Sequence, residues 1–159
     1  MDSAALDLHF MGLALAEARK ALGHDDIPVG AVLVRGDQVL AVGRNERELL
    51  HSPTAHAEVQ AINAGAEAHG HWNLTGTKLY VTLEPCPMCA GALVMARVEE
   101  VIYAACDPKG GALSLDIPIL ANPKLNHRVK FRQGPLVEEC SQVLKEFFRE
   151  KRALKKPKP

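Results

Sequence analysis

A histidine, a glutamate and two cysteines carry the chemistry that can be read from this chain. They occur as His56-Ala57-Glu58 and, further on, as Pro85-Cys86-Pro87-Met88-Cys89. An imidazole and two thiolates are zinc ligands. Three protein ligands leave the fourth tetrahedral position to water, as in catalytic centres, whereas structural sites are closed by four. Zinc lowers the pKa of its water, so hydroxide becomes available near neutral pH. Glu58 then reads as the carboxylate that moves protons between that water, the group under attack and the leaving group. Either segment alone says little. A lone C-x-x-C is often structural zinc or a redox pair, and H-x-E is common on helix surfaces. Together they point to catalytic zinc. The competing reading is a closed Cys2His2 site with His51 as fourth ligand. Cys106 and Cys140 lack ligand spacing; Cys140 is expected in the core and Cys106 at a strand end.

The elements that must position these groups follow from periodicity. Cys86 and Cys89 are three apart, which puts them on one face of a first helical turn. Helix N-terminal amides there favour the thiolate. Pro87 suits the start of that helix, which should run to about residue 97. His56 and Glu58 are two apart and do not share a helix face, so the chain leading into their helix must aim them. That helix is expected from about 56 to 68, with Thr54 as cap. Before it, Leu6, Phe10, Leu13, Ala14, Ala18, Ala21 and Leu22 recur at helical spacing, with Ser3 as a possible cap and Gly23 as the stop. Strands are expected at 29–34 and 38–42 around Gly36-Asp37, a hairpin signal, and at 78–83, 101–105 and 129–132. Residues 107–127 read as a long functional loop. A last helix from 136 to about 154 turns Val137, Cys140, Leu144, Phe147 and Phe148 to one side, with Pro157 and Pro159 ending it. Strands separated by helices favour parallel pairing, so the fold class is α/β, with a mixed sheet covered by helices on both faces.

Composition sets limits. The 159 residues form one domain, with 47% hydrophobic and 24% charged residues, ordinary for a globular protein. Net charge is zero but unevenly placed. From Lys145 to Pro159 seven basic residues face only Glu146 and Glu150, so this end carries +5 and the rest −5. Residues 1–150 therefore read as the body and 151–159 as a basic tail, which suits an anionic partner or a solubilising end. Four cysteines without a secretory signal fit a reducing compartment, hence the cytoplasm. The apolar stretch Phe10 to Ala16 follows Asp2 and Asp7, with no Lys or Arg before Arg19, so it reads as helix rather than signal peptide. No apolar run nears the ~20 residues that span a bilayer.

With these residues in view, the chain resembles the bacterial tRNA-specific adenosine deaminases over nearly its whole length. The likeness rests on Val29 to Val34, Asn45, Pro53 to Glu58, Leu79 to Gly91 (LYVTLEPCPMCAG), Asp107 to Ala112 (DPKGGA), Asn126 to Val129 and Phe147-Phe148-Arg149. The zinc motif is common to many deaminases; the later segments are closer to the tRNA branch. The resemblance implies a cytidine-deaminase-like three-layer α/β/α sandwich with a five-stranded mixed sheet, one Zn2+ per subunit and a homodimer. It implies conversion of the wobble adenosine of an arginine tRNA anticodon to inosine, on a base flipped from its stack. By the same resemblance His56, Cys86 and Cys89 are the metal ligands and Glu58 the proton shuttle. Asn45 would hydrogen-bond the flipped purine. Asp107, Lys109, Asn126 and His127 would face the anticodon loop, and Phe147, Phe148 and Arg149 would pack near bases and phosphates. On periodicity alone one or both phenylalanines are helix core, and Asn45 is a loop residue bonding local backbone. The chain departs from the family pattern at Leu113-Ser114-Leu115 and at Cys106, in a segment expected to touch substrate. Two other readings stand beside this one: a deaminase of free guanine, cytosine or their nucleosides, and a non-catalytic zinc or RNA-binding protein, which would have no use for Glu58.

Overall fold

The computed structural model describes residues 1–155, and Lys156 to Pro159 lie outside it. Helix α1 spans Ser3–Ala21 and tightens into a 3-10 turn at Leu22–His24. Asp2 caps it rather than Ser3, which is already helical: the Asp2 carboxylate accepts the Ala5 N–H at 2.8 Å. Strands β1 (Gly30–Arg35) and β2 (Gln38–Arg44) form the expected hairpin, turned at Gly36 with φ +62. Next come α2 (Arg47–Leu50), α3 (Ala57–His69), β3 (Lys78–Leu83), α4 (Pro87–Met95), β4 (Glu100–Ala105), β5 (Lys130–Gln133) and α5 (Val137–Lys155). The one-turn α2 falls in a stretch that the sequence reads as loop, because four residues are too few for a periodic signal. The 107–127 stretch contains turns but no helix.

The five strands form one mixed sheet in the order β2-β1-β3-β4-β5. β1 is antiparallel to both β2 and β3, while β3, β4 and β5 run parallel. Helix separation thus predicts parallel pairing correctly for β3–β4. It fails for β1–β3, where the hairpin has already reversed the chain. β5 is parallel to β4 with only the long loop between them.

Side-chain alternation divides the helices into two layers. A Cβ on Gly30 would lie 2.0 Å from the Ala14 carbonyl oxygen, so this face of β1 meets the α1 backbone directly. A Cβ on Gly43 would lie 2.3 Å from the Ala57 carbonyl oxygen, so the other face receives α3 at its first turn. α4 packs beside α3, and α5 covers β4 and β3 next to α1. The result is the expected three-layer α/β/α sandwich. Its core holds Phe10, Met11, Val32, Leu33, Leu79, Val81, Leu93, Val101 and Ile102, together with Cys140. α5 continues through residue 150 to Lys155, so the first five residues of the expected tail belong to the helix. Among the described residues no helix is long and apolar enough to cross a membrane.

Candidate active site

Both chemistry-bearing segments meet their helices at the N-terminus. His56 is the N-cap of α3 with extended backbone (φ −74, ψ 152), while Glu58 lies in the first turn. The two side chains therefore leave from different backbone geometries, which resolves the problem of residues two apart. Thr54 does not cap this helix. The capping oxygen comes from Asn45 at the end of the hairpin, whose Oδ1 accepts the Ala57 N–H at 2.8 Å. Cys86 is the N-cap of α4, its Sγ accepts the Cys89 N–H at 3.5 Å, and Pro87 opens the first turn.

The three expected ligands converge. His56 Nδ1 lies 3.6 Å from Cys86 Sγ and 3.5 Å from Cys89 Sγ. Tetrahedral zinc with Zn–S of about 2.3 Å and Zn–N of about 2.0 Å separates N from S by roughly 3.5 Å. The donor set and its spacing thus fit a zinc ion, with Nδ1 as the ligating nitrogen. His51 takes no part: it is exposed, ends α2 with φ 50, and among the described residues the ligand cluster consists of His56, Cys86 and Cys89 alone. The closed four-ligand alternative is not formed.

The ionisable groups of the cluster perturb one another. Hydrogen bonding from the Cys89 side chain and from His56 holds the Cys86 thiol down to about 4. The same bond to Cys86, together with burial, pushes Cys89 up. The Cys86 partner raises His56. Glu58 is buried, and loss of hydration pushes its carboxyl up to about 7, the Cys86 charge adding to this. A carboxyl with that value can both take and give a proton near neutrality.

Asn45, His56, Glu58, Cys86 and Asp107 line one cavity of about 130 Å³, with Ile27, Val29, Arg47, Leu83 and Glu84 completing its wall. Lys109 and Phe148 stand in a neighbouring cavity of about 540 Å³ that shares Ile27, Leu83 and Asp107 with the first. Phe147 is buried and meets Phe148 edge-on, so periodicity places it correctly in the core, while Phe148 is exposed. Arg149 is exposed and lines neither cavity. Asn126 and His127 are not brought to the site. The His127 ring bonds the Val98 carbonyl oxygen at 2.7 Å. It precedes the N-terminal end of β5, whereas Cys86 and Asp107 follow the C-terminal ends of β3 and β4. One strand length, ~20 Å for six residues, separates those two edges of the parallel sheet. Arg47, Glu84 and Ser114 are the wall and anchor residues that sequence reasoning misses. A charged residue inside a strand-to-helix turn, Glu84, is the one signal that could have been followed.

A family model for MafB19-like deaminases matches residues 6–152. The tRNA-specific adenosine deaminase of Bacillus subtilis (strain 168) is 46% identical over 147 residues, covering 92% of this chain and 91% of that protein. The chain belongs to the tRNA-specific adenosine deaminase family. Enzymes of this family are matched in structure too. A chain solved in a study of A-to-I editing by tRNA:A34 deaminases at the wobble position of transfer RNA superposes with a TM-score of 0.82. It is 43% identical, and the match covers 86% of this chain and 99% of that one. The guanine deaminase of Nitrosomonas europaea is 21% identical with a TM-score of 0.72, covering 87% and 82% of the two chains, and shares the fold. The cytidine-deaminase-like sandwich is thus the architecture of this chain.

Proposed function

We propose that this deaminase hydrolyses the wobble adenosine of a tRNA anticodon, that of an arginine tRNA, to inosine and ammonia, using one zinc ion held by His56, Cys86 and Cys89. The carrying observation is the three-ligand cluster with Glu58 buried beside it in one small cavity. The ion would supply a water acidified toward neutral pH. As the water oxygen bonds C6, Glu58 would take a proton from the water and pass it to purine N1; it would then carry the proton of the new C6 hydroxyl to the 6-amino group, which would leave as ammonia as the C6–N bond breaks. Burial pushes the carboxyl up, which favours a group that gives as well as takes a proton. Asn45 orients the base. Its Oδ1 is taken by the Ala57 N–H, so its amide NH2 is left to donate to a purine acceptor. Leu83 and Ile27 supply an apolar wall, which excludes water from the base.

The anticodon assignment draws on the relatives at 46% and 43% identity, which are named or described as acting on tRNA. Asp107, Lys109 and Phe148 would meet the loop around the flipped nucleotide; their cavities adjoin that of Glu58. Asn126, His127 and Arg149 would touch RNA only outside these cavities. A homodimer in the cytoplasm belongs to the same proposal. Incubation with an arginine anticodon stem-loop carrying adenosine, the same RNA carrying cytidine, free guanine and free cytosine tests it. Ammonia release with inosine from the first alone is expected. Rapid turnover of guanine without inosine in RNA would place the enzyme in the free-base branch.

A further inference from the structure

Glu84 directly follows β3 and precedes the Pro85-Cys86 segment, and it is only 3% exposed. Every group that bonds this carboxylate lies on the loop following β4. Oε1 accepts the Asp107 N–H at 3.1 Å and the Ser114 hydroxyl at 2.5 Å, and Oε2 accepts the Ser114 N–H at 2.7 Å. A fourth bond runs from the Ala112 N–H to the Pro85 carbonyl oxygen at 2.9 Å. Gly111 lets the loop come this close, since a Cβ there would lie 2.1 Å from Glu84 Oε2. The loop end so held is itself folded. Asp107 accepts the Lys109 and Gly110 N–H groups at 3.3 and 3.1 Å through its carboxylate, and the Gly111 N–H at 2.8 Å through its carbonyl oxygen. Glu84 and Asp107 both line the cavity that holds Glu58.

A buried carboxylate whose three donors all come from one loop fixes that loop more firmly than neutral bonds would. We propose that Glu84 is a positioning residue. It ties the loop 107–115 to the metal-binding segment, so that Asp107 and Lys109 stand at a set height over the catalytic cavity, and Ser114 is its partner. This rests on the adenosine-in-RNA reading for its functional consequence, though not for the tie itself. It also gives the Leu113-Ser114-Leu115 departure a use, because Ser114 supplies two of the donors.

The test combines amide hydrogen exchange, zinc content and steady-state kinetics on the adenosine stem-loop, for wild type, Glu84→Gln, Ser114→Ala, Gly111→Ala and the double variant Glu84→Gln/Ser114→Ala. An amide nitrogen in place of one oxygen sets donor against donor, so Glu84→Gln must break at least one bond. Exchange at the Asp107 and Ser114 amides should quicken while zinc per chain stays at the wild-type value. kcat/KM should fall by about 10- to 100-fold, the effect of displacing positioned contacts, and chiefly through KM. The double variant should be no worse than Glu84→Gln, since Ser114 acts through Glu84. If Glu84→Gln fails to fold, the milder Ser114→Ala carries the same readouts with a smaller shift. Unchanged exchange at both amides overturns the tie. Quickened exchange with unchanged KM overturns its role in substrate placement, as does activity lost in proportion to zinc. A wild-type protein that makes no inosine refutes the RNA reading instead, and exchange together with stem-loop Kd then decides the role of Glu84.

Discussion

Glu58 has two properties that follow from its place at the first turn of α3: it is buried, and its carboxyl is pushed up to about 7. It lies outside the group of His56, Cys86 and Cys89 that could hold a metal ion. Glu58→Gln should therefore retain zinc and fold, and lose turnover by ~10²- to 10⁴-fold or more, the range for general acid–base groups. Metal analysis and single-turnover deamination check this, and near-normal turnover in zinc-replete Glu58→Gln sinks the assignment. Asn45 has two roles that one pair of substitutions can separate. Its oxygen caps α3, and on the proposed function its NH2 would donate to substrate. Asn45→Asp keeps an acceptor for the Ala57 N–H but replaces the donor. It should preserve thermal stability and raise KM for RNA. Asn45→Ala should do both kinds of harm, with a capping loss of about 1 kcal/mol in stability. Equal stability for the two variants would remove the capping role.

At the level of elements, one ionic junction joins α1 to β3, β4 and β5. Arg132 on β5 donates to Asp7 on α1 at 2.7 and 3.0 Å and lies 3.4 Å from Glu100 on β4. The Tyr80 hydroxyl of β3 donates to the same aspartate at 2.6 Å. Arg132 chiefly, with Tyr80, holds the Asp7 carboxyl below its ordinary range, against the effect of burial. A depressed folded-state pKa stabilises above the unfolded value and is lost as pH falls through the folded one. The Tm difference between wild type and Asp7→Asn should thus be constant from neutral pH to about 5, then shrink below the ordinary carboxylate pKa near 3.9. A difference that grows on acidification contradicts the junction. The short, charged β5 also leaves the sheet a blunt edge, with Lys130 and Phe131 exposed.

Over the whole molecule, charge separates into an acidic body and a basic C-terminal end. α5 delivers part of that end to the site. Lys145 and Arg152 line the cavity beside Asp107 and Lys109, and Lys155 lines another that reaches Asn45. Lys151 is used differently: it pairs with Asp25 and lies over the Phe147 ring, which pins the helix to the body. Arg152 and Lys155 are exposed. Replacing both with Gln should weaken stem-loop binding and flatten the slope of log K against log salt by up to ~1.4, at ~0.7 for each phosphate neutralised. The rate at saturating RNA should stay the same. An unchanged salt slope would confine α5 to a structural role.

What the sequence determined by itself is what local pattern encodes. The spacing of Cys86 and Cys89, Pro87 after the first cysteine, and alternating or helical apolar periods act within one turn or one strand. The grouping of His56, Cys86 and Cys89, the parallel β3–β4 pair and the burial of Phe147 were legible for that reason. Tertiary structure alone decided the contacts made across the chain. These are the Asn45 oxygen on α3 in place of Thr54, the choice of His56 Nδ1, the exclusion of His51, and the Glu84 tie to Ser114. It also set His127 at the sheet edge opposite the cavity, because the direction of β5 becomes known only when β5 pairs with β4. A hydrogen bond between residues far apart in sequence leaves no periodic trace. Its partner is selected by strand order and by which backbones can approach, and both are properties of the packed sheet rather than of any segment within it.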